Sequence, residues 1–347
     1  SAASFGRRMP AEVIKLVHAM ISLTHQGLHL LRRMFDRCSG REELNPPSCE
    51  LDADAASAMI EDLLRSGRPA MVGRFGCTEM SCLHNYLEIG KAGRNPLNYI
   101  TGRRDQWWWN KSIMRQMREW SGFFPAAPEY LARFCELMLC DMKELDILGS
   151  WLPYEREVMP MIRDVPRVRL LNLEPYWSSR PWSRALEGRK VLVVHPFAES
   201  ITLQYERNRE RIFENPEVLP SFSLETLAAV QSLGAGPDRF ADWFEALAWM
   251  EGEMDRRDYD VCLIGCGAYG FHLAAHAKRR GRQAVHLGGA LQLLFGLRGR
   301  RWEDPAYGAD PGALKYDYSR LFNDAWARPG REETVGHASR VEGGCYW

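Results

Sequence analysis

The stretch that decides the fold is DYDVCLIGCGAYGFHL, residues 258–273. Its apolar run, 261–264, predicts a buried strand, and a helical pattern begins directly after the glycines. The turn between strand and helix has the spacing Gly-x-Gly-x-x-Gly, formed by Gly265, Gly267 and Gly270. Glycines at such a junction let backbone amides approach an anion at the helix N-terminus. The stretch therefore predicts an α/β protein with an anion-binding turn.

Strand-like and helical patterns alternate along most of the remaining chain. Strands are predicted at 69–74, 146–149, 167–174, 190–195 and 283–287, and helices at 52–66, 128–145, 225–232, 239–256 and 291–297. Such alternation predicts a doubly wound, mostly parallel, Rossmann-like sheet. We expect an N-terminal helical extension (1–50), a Rossmann-like domain (51–302) and a C-terminal tail (303–347) that folds back onto the domain.

Residues 11–37 carry apolar side chains at helical spacing and end in Arg32, Arg33 and Arg37. This pattern predicts an amphipathic helix. Three uses of its apolar face stay open: packing on its own domain, contact with a second copy of the chain, or contact with a membrane surface.

Composition sets limits on the partners and the compartment. The chain of 347 residues has 45 Lys and Arg against 45 Asp and Glu, so its charge gives no reason to expect nucleic acid as a partner. Nine scattered cysteines indicate neither a secreted disulfide framework nor a zinc site. We expect a cytoplasmic protein, peripheral at the inner membrane face if the first helix contacts lipid.

Another strand–turn–helix junction lies earlier in the chain than the glycine turn. Arg74 ends a predicted strand, Gly76 turns the chain, and Glu79 lies in the first turn of the next helix. If the two junctions face each other across a sheet edge, one supplies a carboxylate and the other an amide nest for phosphate. Further candidates for donor or phosphate contact are Tyr269, Gly288, Gly289, Arg298, Arg300 and Arg301.

Other side chains are candidates for the chemistry itself. His195 and Glu199 follow the predicted strand 190–195, at the edge where open α/β sheets bind ligands, and either is a candidate general base. Trp107, Trp108 and Arg103 are candidates for acceptor contact, because indole faces stack on sugar rings.

Two alternative chemistries lack their usual partners. A dinucleotide site needs an acidic residue at the end of the strand after the glycine turn, and that strand ends in His286. His272 and His276 have the helical spacing of zinc ligands but no evident third ligand, so a structural role is favoured.

The segment Arg74-Phe-Gly-Cys-Thr-Glu79 resembles the Arg-(Phe/Tyr)-Gly-Asp-Gly-Glu signature of glycosyltransferases with the GT-D fold. Residues 260–270 and 285–289 resemble their closing strand–helix–strand, and the resemblance covers roughly residues 65–302. The block 191–302 is also similar to bacterial proteins associated with surface-polysaccharide clusters. The resemblance implies a UDP-sugar donor and a divalent ion, Mn²⁺ or Mg²⁺, held by an Asp-x-Glu pair.

Only half of that pair is present here. Glu79 matches the glutamate, whereas Cys77 replaces the aspartate, and a neutral thiol is a poor ligand for a hard cation. Glu79 therefore holds a metal or contacts the nucleoside or an acceptor hydroxyl.

The combined prediction is a glycosyltransferase that moves a sugar from a nucleotide-sugar to a glycan or lipid-linked acceptor in bacterial surface polysaccharide synthesis. Two alternatives remain: a non-catalytic nucleotide-binding or scaffold subunit of a polysaccharide assembly, and a nicotinamide-dependent Rossmann oxidoreductase.

Overall fold

The computed structural model describes residues 11–39, 45–162, 164–232, 239–304, 307, 316–333 and 345–347, with side chains of the first helix from residue 24 onward. The chain falls into two compact units. The first comprises residues 1–44 and 85–110, and the second comprises 45–84 and 111–347. This grouping differs from the sequence-based division because residues 85–110 join the N-terminal segment. The predicted tail belongs to the second unit, and most of it lies outside the described residues.

The second unit is built on one sheet of seven strands, all parallel, in the order β3-β2-β1-β7-β6-β4-β5. The strands are β1 (Ala70–Arg74), β2 (Ile147–Ser150), β3 (Arg167–Arg169), β4 (Lys190–His195), β5 (Ser223–Ala228), β6 (Val261–Ile264) and β7 (Gln283–His286). The four strands β1, β7, β6 and β4 form the centre. Their residues are buried almost throughout, as expected for parallel strands covered on both faces.

Twelve α-helices occur among the described residues. They are α1 (Ala11–Ser39), α2 (Ala53–Arg65), α3 (Cys77–Gly90), α4 (Pro96–Ile100), α5 (Lys111–Glu119), α6 (Pro128–Asp141), α7 (Glu155–Val158), α8 (Ala198–Ile212), α9 (Trp243–Asp255), α10 (Tyr269–Arg279), α11 (Leu291–Leu294) and α12 (Arg300–Glu303). None of the described helices has the length and apolar character to cross a membrane.

Helices cover both faces of the sheet. On one face, Val191, Val193 and Val261 pack with side chains of α2 and α8 in a single buried cluster. On the other face, α10 packs against α6 and α9. The doubly wound, Rossmann-like fold predicted from the sequence is therefore confirmed.

One predicted helix is wrong. Residues 225–232 do not form a helix, because residues 223–228 form strand β5, which pairs along its whole length with β4. The segment is an edge strand with mostly exposed or half-buried side chains, so its hydrophobic pattern is weak and tertiary pairing outweighs local propensity.

One predicted strand is shorter than expected. The strand predicted at 167–174 ends at Arg169 and continues as a 3₁₀ turn, Leu170–Leu173. The turn carries Glu174 to the carboxyl edge of the sheet, where the cavity described below lies.

Candidate functional site

A cavity of about 250 Å³ lies within the second unit at the carboxyl edge of the sheet. The segments after β1, β4, β6 and β7 line it. Strands β4 and β6 are neighbours in the sheet. The chain passes from β4 to β5 on one side of this pair, and from β6 to β7 on the other side. Such a change of direction opens a crevice, and open α/β sheets bind ligands there.

Arg74 presents its guanidinium group to this cavity. The group lies over the Trp151 ring, 5.3 Å from its centre, and the Trp151 indole is itself fixed by a 3.0 Å hydrogen bond to the Phe75 carbonyl. The Arg74 Nε atom is buried and has no hydrogen-bond partner among the described residues. An unsatisfied buried donor on a cation is costly, so this group favours an anionic ligand.

The glycine turn after β6 forms another part of the cavity wall. Gly267 has φ +56°, a conformation that favours glycine. In the structure as described, the backbone N–H groups of Cys266, Gly267 and Ala268 donate no hydrogen bonds, and α10 begins at Tyr269. Free amides at the positive end of a helix are suited to an anion.

Glu79 lies in the first turn of α3 and its carboxylate folds back over Gly76. A Cβ at residue 76 would overlap that carboxylate, so a larger residue there would move the Glu79 side chain from its present position. Both residues line the cavity. Among the described residues, no hydrogen bond or ion pair ties down the Glu79 carboxylate, which leaves it available to a ligand.

The other predicted glycines lie close to protein groups. A Cβ at Gly265 would lie 2.9 Å from the His195 ring, and one at Gly270 would lie 2.5 Å from the His286 ring. At Gly289 the space is filled by the Tyr346 ring. These glycines are needed for packing, and Gly270 does not line the cavity.

Gly288 has φ +64°, and its Cα lies close to the Arg74 side chain. A Cβ at residue 288 would lie 3.1 Å from the Arg74 Nη1 atom, so glycine lets the guanidinium group approach the backbone. The Trp151 ring and this backbone segment together set the position of Arg74.

His195 lines the cavity but is poorly suited to act as a base. Its Nδ1 atom accepts a 3.0 Å hydrogen bond from the Phe197 N–H, so the proton of the neutral ring is on Nε2. Burial lowers the pKa of His195 to about 3, which keeps the ring neutral at physiological pH. The arrangement makes His195 a hydrogen-bond donor through Nε2.

Of five further candidates, only two line the cavity. Glu199 is exposed and does not line the cavity, and its backbone N–H donates to Glu333. Tyr269 lines the cavity and is anchored by a ring stack on Trp243 and a 2.9 Å hydroxyl contact with Ser232. Of the three candidate arginines 298, 300 and 301, only Arg301 lines the cavity, where it donates to the Tyr346 hydroxyl at 3.0 Å.

The acceptor candidates belong to the first unit and take part in its packing. Trp108 stacks on His25 at 3.9 Å and contacts Tyr99, which also meets the edge of Trp107. Arg103 is exposed. His272 and His276, in the second unit, form structural pairs with Asp141 and Asp255 at 2.7 and 2.9 Å, respectively.

Sequence reasoning missed Glu174, which lines the cavity and is 6% exposed. Its Oε2 atom accepts hydrogen bonds from Tyr176 at 2.9 Å, from Trp177 at 2.8 Å and from Tyr318 at 2.8 Å. Burial is the main cause that raises the pKa of Glu174 to about 7. The available signal was a carboxylate at the end of a predicted strand.

The residues at the first junction do not fit the divalent ion that the resemblance implies. Burial and the neighbouring Glu79 raise the pKa of the Cys77 thiol, which therefore stays protonated at neutral pH. Among the described residues, no group of three or more His, Cys, Asp and Glu side chains is placed to hold a metal ion.

Comparisons with known proteins add little to this site. No model of a protein family matches the chain, and no curated protein matches it. One solved structure, described as the selenomethionine-substituted structure of domain of unknown function 1792 (DUF1792), is similar over 88% of this chain and 95% of that one, with 12% sequence identity and a TM-score of 0.32. A likeness this weak shows nothing about the function of the chain.

Proposed function

We propose that the protein is a glycosyltransferase that uses a nucleotide-sugar donor, in keeping with the GT-D resemblance of its two junctions. The observation that carries the proposal is the buried Arg74 Nε atom, which has no hydrogen-bond partner among the described residues, in the same cavity as the free amides of residues 266–268. A cation beside an amide nest is the chemistry that recognises a diphosphate.

Arg74 and the amides act on the leaving group. When the bond between the sugar and the diphosphate breaks, negative charge develops on the departing phosphate oxygen. Preorganised donors aimed at such a charge stabilise the transition state more than the ground state. Arg301, also in the cavity wall, adds a second positive charge to the same region.

Glu79 acts on hydroxyl groups of the donor or acceptor. Its carboxylate is free of protein partners among the described residues and is a hydrogen-bond acceptor when ionised. Because Cys77 is a neutral thiol, the proposal assigns the compensation of the diphosphate charge to Arg74 and the amides. The acceptor is a glycan or a lipid-linked saccharide, as the resemblance implies.

Calorimetry with UDP-, GDP- and CDP-sugars, each in Mn²⁺ and in EDTA, tests the proposal. We expect a nucleotide-sugar to bind under both conditions. Arg74→Met removes a charge-assisted hydrogen bond worth about 1.5–3 kcal/mol, so affinity should fall roughly 10- to 100-fold. Glu79→Gln should retain binding and lose most donor turnover, measured as release of nucleoside diphosphate.

Arg68→Met is the matched control, because Arg68 precedes the same strand at its opposite end and pairs with Asp146 on the surface. It should leave affinity unchanged. Failure of every donor to bind would refute the proposal. Binding without turnover by the unmodified protein would instead support the non-catalytic nucleotide-binding subunit.

A further inference from the structure

Glu174 is the most deeply buried carboxylate in the cavity wall, and its two oxygens differ. Oε2 accepts three hydrogen bonds, whereas Oε1 shares only the Tyr318 hydroxyl, at 3.1 Å. A carboxylate oxygen has two lone pairs. Oε1 therefore keeps the capacity to accept a further hydrogen bond, and Glu174 is one of the residues that line the cavity.

We propose that Glu174 is the general base that takes the proton from the acceptor hydroxyl in the transfer reaction. The proposal rests on the proposed function and names a catalytic residue for it. Three observations favour Glu174 over the two bases expected from the sequence. The Nδ1 atom of His195 is already occupied, Glu199 lies outside the cavity wall, and the carboxylate of Glu174 is held in place by three aromatic side chains.

The acceptor oxygen forms a bond to the anomeric carbon while the bond from that carbon to the diphosphate oxygen breaks. The electron pair of the broken bond leaves with the nucleoside diphosphate, next to Arg74. The acceptor proton passes to Glu174 and is later released to solvent.

Four charged or titratable side chains act on Glu174. The hydroxyls of Tyr176 and Tyr318 donate to the carboxylate, the Arg74 cation favours its ionised form, and Tyr307 lies within electrostatic range. Burial outweighs the hydrogen bonds and the cation, which leaves the pKa near 7. A base whose pKa lies near the working pH is well matched to general-base catalysis.

The test measures donor binding and nucleoside diphosphate release between pH 5 and 9 for a UDP-, GDP- or CDP-sugar, with water in place of the acceptor. In the unmodified protein we expect kcat/KM to rise with pH through about 7 and then level off. Glu174→Gln should bind the donor with unchanged affinity and lose at least about 100-fold in kcat. The fall of kcat/KM below pH 7, called the acid limb of the profile, should also disappear in this variant.

Tyr318→Phe keeps the ring and removes one donor to the carboxylate. The pKa of Glu174 should then rise, and the acid limb should move to higher pH. Tyr130→Phe is the control for this change, since the Tyr130 hydroxyl makes no hydrogen bond in the described structure. Glu61→Gln is the control for loss of a buried carboxylate outside the cavity wall, because Glu61 is as buried as Glu174 and pairs with Arg65 and Arg184 away from the cavity. It should leave the limb in place.

The outcomes separate the two proposals. If Glu174→Gln retains turnover and the acid limb, the base is overturned and the glycosyltransferase stands. If Tyr318→Phe leaves the limb unmoved while Glu174→Gln removes turnover, Glu174 has a structural role only. If the unmodified protein binds no donor, or binds one without turnover, the proposed function falls and the base falls with it.

Discussion

The residue at position 289 has to be glycine because the Tyr346 ring fills the space of a side chain there. Gly289→Ala should therefore displace Tyr346 and destabilise the protein by about 1–3 kcal/mol, the usual cost of overpacking. Gly252→Ala is the control, because Gly252 lies inside α9 with no neighbour near its Cβ position. That change should be neutral or stabilising by up to about 1 kcal/mol. Urea unfolding measures both.

The double variant Gly289→Ala/Tyr346→Ala removes the clash together with its cause. Its loss of stability should be smaller than the sum of the two single losses, because the sites share one contact. Strict additivity would show that Tyr346 does not occupy this space in solution.

For single residues, the sequence predicted which of them lie at the cavity better than it predicted what each of them does there. Arg74, Glu79 and Gly267 could be placed at the cavity because each belongs to a strand–turn–helix junction, which a sequence pattern identifies. The purpose of Gly289 could not be predicted, since its neighbour Tyr346 is 57 positions away in the sequence. Glu174 was missed because the predicted strand continued through the 3₁₀ turn that delivers it to the cavity.

Among the secondary-structure elements, α1 has an exposed apolar stripe. Its members Leu30, Leu31, Met34 and Phe35 are 59, 48, 55 and 38% exposed. On the helix, Leu30 and Met34 lie opposite Arg32, which is buried in the first unit, and the exposed Arg33 and Arg37 lie beside Leu30. An apolar stripe beside two cations matches an anionic lipid surface.

We therefore expect the protein to co-sediment with phosphatidylglycerol-containing vesicles, and weakly with phosphatidylcholine alone. Arg33→Glu/Arg37→Glu should weaken binding, since each arginine contributes about 1 kcal/mol. Leu31→Glu/Phe35→Glu should abolish it, whereas Met161→Glu, an exposed apolar residue of the second unit, should not. A concentration-dependent dimer that these α1 changes disrupt, with no vesicle binding, would assign the stripe to a second copy.

Element prediction from sequence succeeded where the hydrophobic pattern was strong. The central strands β4 and β6 are continuous apolar runs, and both were predicted. Strand β5 was mistaken for a helix because an edge strand buries little, so its sequence carries Glu225 and Ala228 without a clear period of two.

For the molecule as a whole, three buried groups with large pKa shifts make opposing contributions to the dependence of stability on pH. Burial lowers the pKa of both His195 and His286 to about 3, so between pH 3 and 6.5 the unfolded chain binds more protons and stability falls on acidification. The pKa of Glu174, raised to about 7, acts in the opposite sense. From pH 7 to 5 each group contributes about 2 kcal/mol, giving a net loss of about 2 kcal/mol.

Chemical denaturation at pH 5, 6 and 7 measures this balance. His195→Asn should make stability nearly independent of pH over this range, because one histidine then offsets Glu174. Glu174→Gln should double the loss to about 4 kcal/mol. An unmodified protein that is equally stable at pH 5 and 7 would contradict the assignment of neutral, buried histidines.

The order of the sheet also sets when the cavity can form. Strand β1 pairs with β7, so Ala70 is matched to Gln283, more than half the chain away. Pairing across so long a loop is entropically costly and slow, and it waits until the later strand has been synthesised. During translation, β1 and β2 therefore emerge with an open edge that only the last strand closes. The cavity consequently forms only when β7 has joined the sheet, and a chain terminated before β7 lacks the segment that completes the cavity wall.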